Sequence, residues 1–144
     1  LKRLPSTGAV VVSEIVPEVV EWNRGDLGAV AGRPLDDPRV DLVVGDVAQV
    51  IRDSESRFDA VLLDVDNGVD SFSVKGNSWL YTPQGLNAAH RALRRGGALA
   101  IWSVGTSTAF ESALYKAGFD PSTYPIRGHD DRGGHFSVLV GRKH

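Results

Sequence analysis

At 144 residues the chain is long enough for one domain with a substantial core, and 42% hydrophobic against 24% charged residues is the balance of a globular protein. Cysteine is absent, which excludes disulfides, thiolate nucleophiles and cysteine-ligated zinc, and no apolar run approaches a membrane span or opens the chain as a signal peptide. The net charge of −2 divides unevenly, −7 over residues 1–72 and +5 over residues 73–144, so the acid-rich half favours a cationic small molecule over nucleic acid. A cytoplasmic protein with no membrane and no nucleic-acid partner is the expectation. Methionine is also absent and the chain opens Leu1-Lys2-Arg3-Leu4-Pro5, which reads as a fragment missing its N-terminal part.

The first element is a short β-branched run from Gly8 to Ser13, a buried strand that finishes on Glu14. Pro17 suits a first helical turn, and Val16, Val19, Val20 and Leu27 then recur at helical spacing, with Gly25, Gly28 and Gly32 weakening the far end. Pro34 to Pro38 is a turn. Val40 to Val44 is the second strand, closed by Gly45-Asp46, and residues 47–53 make a short helix. Phe58 to Leu63 is a third strand, ending on a third acid, Asp64. Residues 65–81 have no period and form a long loop. Thr82 caps a helix with Pro83 at its first position; its stripe is Leu86, Ala89 and Leu93, and Gly96-Gly97 stops it. Ala98 to Ser103 is the fourth strand. Ser107 caps a helix through Phe110, Ala113, Leu114 and Ala117 that ends at Gly118. Phe119 to Ile126 and His135 to Val140 form an antiparallel pair around the polar loop 127–134. Strands alternate with helices until this pair, so the class is α/β with a mostly parallel sheet.

In open α/β sheets ligands sit beyond the carboxyl ends of the strands. An acid after one strand can take ribose hydroxyls, and an acid after the next can accept from the exocyclic amine of a purine. Glu14 and Asp46, about thirty residues apart, therefore read as the two halves of an adenosine pocket. Each acid taken alone reads more readily as a cap on the helix that follows it, and it is the pair at this spacing that favours the pocket. Trp79 and Tyr81 end the long loop beside the presumed site, and Tyr81 is the candidate wall for a cationic or methyl-accepting substrate. His90 falls one turn after Leu86 and reads as a partly buried packing residue. His129, Asp130, Asp131 and His135 sit among glycines and read as a hairpin loop, so no metal is expected.

The order of these pieces resembles the Rossmann-like class I S-adenosylmethionine-dependent methyltransferase fold, and within it the spermidine synthase-like family. The stretches that carry the resemblance are SEIVPEVVEW (13–22), DDPRVDLVVGDVAQVI (36–51), FDAVLLDVDNG (58–68), LYTPQGLNAAHRALRRGGALAIWS (80–103) and the GF at 118–119. The resemblance implies that Glu14 holds ribose hydroxyls and that Asp46 takes the adenine amine, with the backbone of Val47 beside the ring. It implies that Asp64 is catalytic, engaging the amine that attacks the aminopropyl carbon of decarboxylated S-adenosylmethionine. The family places a second acid three residues on; here that position is Asn67, and an extra acid, Asp66, precedes it. Both are candidate substrate-binding residues. The family's first strand and glycine-rich loop are not represented in residues 1–8, so a truncated, single domain that is inactive alone is expected. A homodimer is left open.

Three readings follow. The chain is part of an aminopropyltransferase acting on a polyamine, or of a methyltransferase that uses S-adenosylmethionine itself, or it is a non-catalytic adenosine-binding remnant. The first is favoured by Asp64 and the acid-rich half, the second by Asn67, the third by the missing strand.

Overall fold

A computed structural model describes residue 1 and residues 3–64, 78–104, 108–126 and 136–144. It divides into two compact units, Leu1–Val50 and Ile51–His144.

In the N-terminal unit, β1 (Val10–Glu14) pairs in parallel with β2 (Val40–Val44), in register from Val10 opposite Val40 to Glu14 opposite Val44. Consecutive β-branched residues favour these extended segments. The ladder continues past both ends, with the Val10 amide donating to the Arg39 carbonyl at 2.8 Å and the Gly45 amide to the Glu14 carbonyl at 2.8 Å. Between the strands run α1 (Pro17–Arg24) and α2 (Asp26–Val30), broken at Gly25. A Cβ on Gly28 would lie 1.8 Å from the Asn23 carbonyl oxygen, so the close approach of α2 to α1 needs glycine there. A 3-10 turn, Pro34–Asp36, leads into β2. Arg39 then ties the first residues down. Its guanidinium forks onto Asp37 at 2.9 and 2.6 Å and donates to the carbonyls of Leu1, Leu4 and Pro5. Those bonds from Arg39 hold the Asp37 carboxyl well below the usual carboxylate range. α3 (Val47–Arg52) follows β2.

The C-terminal unit is a four-stranded sheet in the order β3 (Phe58–Leu63), β4 (Leu93–Val104), β6 (Phe136–Lys143), β5 (Phe119–Ile126). β3 and β4 are parallel, and the other two pairings are antiparallel. The expected closing antiparallel pair is therefore present, with β6 inserted beside β4 and β5 at the edge. α4 (Pro83–Ala92) and α5 (Thr108–Lys116) bury Leu86, Ala89, Phe110 and Leu114 together with Val61, Leu63, Leu99, Ile101 and Leu139 of the sheet. Alternation along each strand sends the intervening residues to the opposite face. There Leu62 is 76% exposed, Trp102 stacks on Phe136 at 5.5 Å, and Tyr124 is open to solvent.

One boundary differs from expectation. The helix that should run to Gly96-Gly97 ends at Ala92; Leu93 is extended and opens β4. Leu93 is fully buried, so its apolar character served either assignment. Pairing decides: Phe58 lies opposite Leu93 and Ala60 opposite Ala98, leaving Arg94–Gly97 as a bulge in β4. Gly96 has φ +80°, and a Cβ on Gly97 would lie 2.9 Å from the Arg94 carbonyl oxygen, so the two glycines make this bulge rather than a helix stop.

Candidate functional site

The N-terminal unit brings Glu14 and Asp46 to one edge. Glu14 is the last residue of β1 and Asp46 lies two residues past β2, strands paired in parallel and in register, so both acids sit at the carboxyl end of the same ladder. Each already has a local duty. Glu14 Oε1 accepts from the Val16 amide at 2.9 Å, and Asp46 Oδ1 accepts from the Ala48 amide at 2.8 Å. The second bond is a helix cap on α3, so the capping role expected of a strand-end acid is present for Asp46. Capping does not exhaust either group, because a carboxylate offers two oxygens and about four lone pairs. Asp46 is exposed and Glu14 half-buried. Val47 opens α3, where the first backbone N–H groups have no intrahelical acceptor. Acceptor-rich carboxylates beside a helix-opening amide are the donor and acceptor set that a nucleoside's hydroxyls and exocyclic amine require.

In the C-terminal unit Asp64 is exposed directly after β3. Tyr81 closes a 3-10 turn, Ser78–Tyr81, and is only 4% exposed. Its ring packs edge-on against Phe110 at 5.8 Å, which puts the ring in the core. The phenol oxygen is different: it is buried with no hydrogen-bond partner among the described residues. A buried hydroxyl left unpaired costs about 1–3 kcal/mol. Desolvation, with the Asp64 charge as a second cause, pushes the phenol up to about 12. It therefore keeps its proton at any working pH.

The turn that carries Tyr81 is tightly held. The Arg52 guanidinium lies 4.1 Å from the Trp79 ring centroid, a cation–π contact. Thr82 Oγ1 donates to the Trp79 carbonyl at 2.7 Å and accepts from the Gly85 amide at 3.2 Å, capping α4 as its sequence suggests. A Cβ on Gly85 would sit 2.1 Å from the Trp79 carbonyl oxygen, so glycine alone admits the turn against the helix. Sequence reading passed over Arg52 and Gly85. Glycine inside an otherwise helical stripe was the available signal.

Asp66 and Asn67 lie outside the described residues, as do Ser107, His129, Asp130, Asp131 and His135. Among the described residues no group of three His, Asp or Glu is placed to hold a metal, and no helix is long and apolar enough to cross a membrane. A surface cleft of about 560 Å³ lined by Tyr115, Lys116, Gly118, Phe119, Asp120 and His144 contains none of the expected site residues.

The profile of a family described as S-adenosyl-L-methionine-dependent methyltransferase matches residues 27–130, more than half of the chain and the stretch that holds Asp46, Asp64 and Tyr81. The chain belongs to that methyltransferase family. Within it the chain is spermidine synthase-like. The polyamine aminopropyltransferase of Nitrosomonas europaea is 32% identical over 101 residues, 70% of this chain and 30% of that protein. That of Korarchaeum cryptofilum is 29% identical over 98 residues, 68% of this chain and 29% of that protein. The fold is that of the crystal structure of spermidine synthase from Thermotoga maritima, with a TM-score of 0.72 at 20% identity, covering 94% of this chain and 46% of that one. The chain thus spans about 30% of the length of these curated relatives. In this methyltransferase-family frame Glu14 lies upstream of the matched residues, and its place rests on the β1–β2 ladder alone.

Proposed function

We propose that the chain carries the nucleoside and acceptor contacts of a spermidine synthase-like transferase, which moves an aminopropyl group from decarboxylated S-adenosylmethionine to a polyamine amine. The observation that carries this reading is the placement of Glu14 and Asp46 at the shared carboxyl edge of two adjacent parallel strands, in a chain similar to polyamine aminopropyltransferases. Glu14 takes the ribose hydroxyls; Asp46, with the amide of Val47, takes the base. The sulfonium activates the carbon that is transferred, so the protein's remaining tasks are alignment and proton control. Asp64 holds the attacking nitrogen and takes its proton as the new C–N bond forms and the C–S bond breaks toward the thioether. Asp66 and Asn67 would hold the rest of the acceptor.

Assay of the full-length protein with decarboxylated S-adenosylmethionine and putrescine should release methylthioadenosine. Asp64→Asn should lower turnover at least 100-fold, the low end for loss of a general base, with nucleoside affinity nearly intact. Glu14→Ala should instead weaken nucleoside binding by about 1.5–3 kcal/mol. A second reading has its own support: the matching family is described by methyl transfer, and Asn67 stands where an aminopropyltransferase has an acid. Release of adenosylhomocysteine from S-adenosylmethionine, with no response to putrescine, would establish that reading and overturn the first.

A further inference from the structure

We infer that the Tyr81 phenol oxygen is a specificity-determining contact for the acceptor, sharing the reacting primary amine with the Asp64 carboxylate. The inference deepens the aminopropyl-transfer reading and rests on it. Three observations lead there. The hydroxyl is buried and unpartnered among the described residues, whereas nearly all buried polar groups in folded proteins are paired. It is not a group that can swing to solvent: Phe110 lies against the ring, and the turn behind it is fixed by the Arg52–Trp79 stack, the Thr82 cap and the close approach at Gly85. Finally, the charge that reaches it is that of Asp64, the exposed carboxylate at the end of β3.

An orphan hydroxyl that feels the charge of a strand-end carboxylate suits a ligand atom that can satisfy both. A primary amine fits. One N–H is given to the carboxylate and a second to the lone pairs of the phenol oxygen, while the nitrogen lone pair stays directed at the carbon it attacks. A phenol that remains protonated keeps its acceptor lone pairs without adding a second negative charge. A site built on such a contact rejects acceptors that lack the second N–H, because the oxygen is then left unpaired.

The test is Tyr81→Phe, which keeps the ring and removes one atom. With decarboxylated S-adenosylmethionine saturating, KM for putrescine should rise about tenfold or more while kcat stays within about threefold. The melting temperature without substrate should be unchanged or higher, since an unpaired buried polar atom has been deleted. A purely structural role for the hydroxyl gives the opposite pattern: lower melting temperature and unchanged KM. Putrescine KM within twofold of wild type overturns this inference and leaves aminopropyl transfer standing. A full-length wild-type protein that neither binds nor uses putrescine overturns both.

Discussion

His90 shows how a single side chain registers the packing around it. It was expected as a partly buried packing residue on α4, and it is: its ring meets Phe119 edge-on at 5.0 Å, and a Cβ on Gly118 would lie 3.2 Å from its Nε2. Burial is the main cause that lowers its pKa below the ordinary 6.5; the nearby Lys143 ammonium adds to this and a backbone hydrogen bond with Gly118 opposes it. A folded pKa below the unfolded one means that the folded state binds fewer protons. Stability is then full above about pH 6.5 and is lost as the pH falls through the folded value. Denaturant titrations stepped from pH 7.5 down to pH 5 should therefore show falling stability, and His90→Gln should flatten that slope. Lys143 Nζ donates to the carbonyls of His90 and Leu93 at 2.8 and 2.7 Å, closing the C-terminal end of α4. Lys143→Met should cost about 2 kcal/mol through those two charge-assisted bonds and raise the His90 pKa, visible in a proton NMR titration of the imidazole.

Among the elements, the turn-and-helix Ser78–Ala92 is the part whose sequence and structure agree in one half and diverge in the other. Thr82 and Pro83 announce the start of α4, and the structure places the cap as expected because capping is local chemistry between residues three apart. The end was misplaced for a non-local reason. Apolar spacing runs on through Leu93, and only the pairing of Leu93 with Phe58, thirty-five positions earlier, pulls the backbone out of the helix. The same distinction ranks two substitutions. Thr82→Ala removes one cap and should cost about 1 kcal/mol. Gly85→Ala drives a Cβ into a backbone carbonyl that cannot step aside, and should cost about 3 kcal/mol, where the same change at an exposed helix position would stabilise by about 1 kcal/mol. Thermal melts of the two variants against wild type check the order; equal losses would mean that the turn yields easily and does not hold Tyr81 in place.

Across the molecule, the strand-end acids were legible because each terminates an apolar run, and that pattern survives without any knowledge of what lies opposite. Glu14, Asp46 and Asp64 all fall where the runs end. The state of Tyr81 was not legible. A tyrosine after a loop reads alike whether its ring walls a cleft or fills the core, and only the packing of Phe110 from a helix twenty-nine positions later separates the two. The division into two compact units was equally hidden, since the alternation of strands and helices continues smoothly through residue 50. That division coincides with the distribution of tryptophan. Trp22, 59% exposed, lies in the first unit, while Trp79 beneath Arg52 and Trp102 stacked on Phe136 lie in the second. The chain therefore carries its own fluorescent labels. A variant keeping only Trp22 reports on residues 1–50, and one keeping only Trp102 reports on the four-stranded sheet. Urea titrations of the two should give separate midpoints, the Trp22 signal moving first because its unit rests on a two-stranded ladder; coincident midpoints would show that the chain unfolds as one cooperative body.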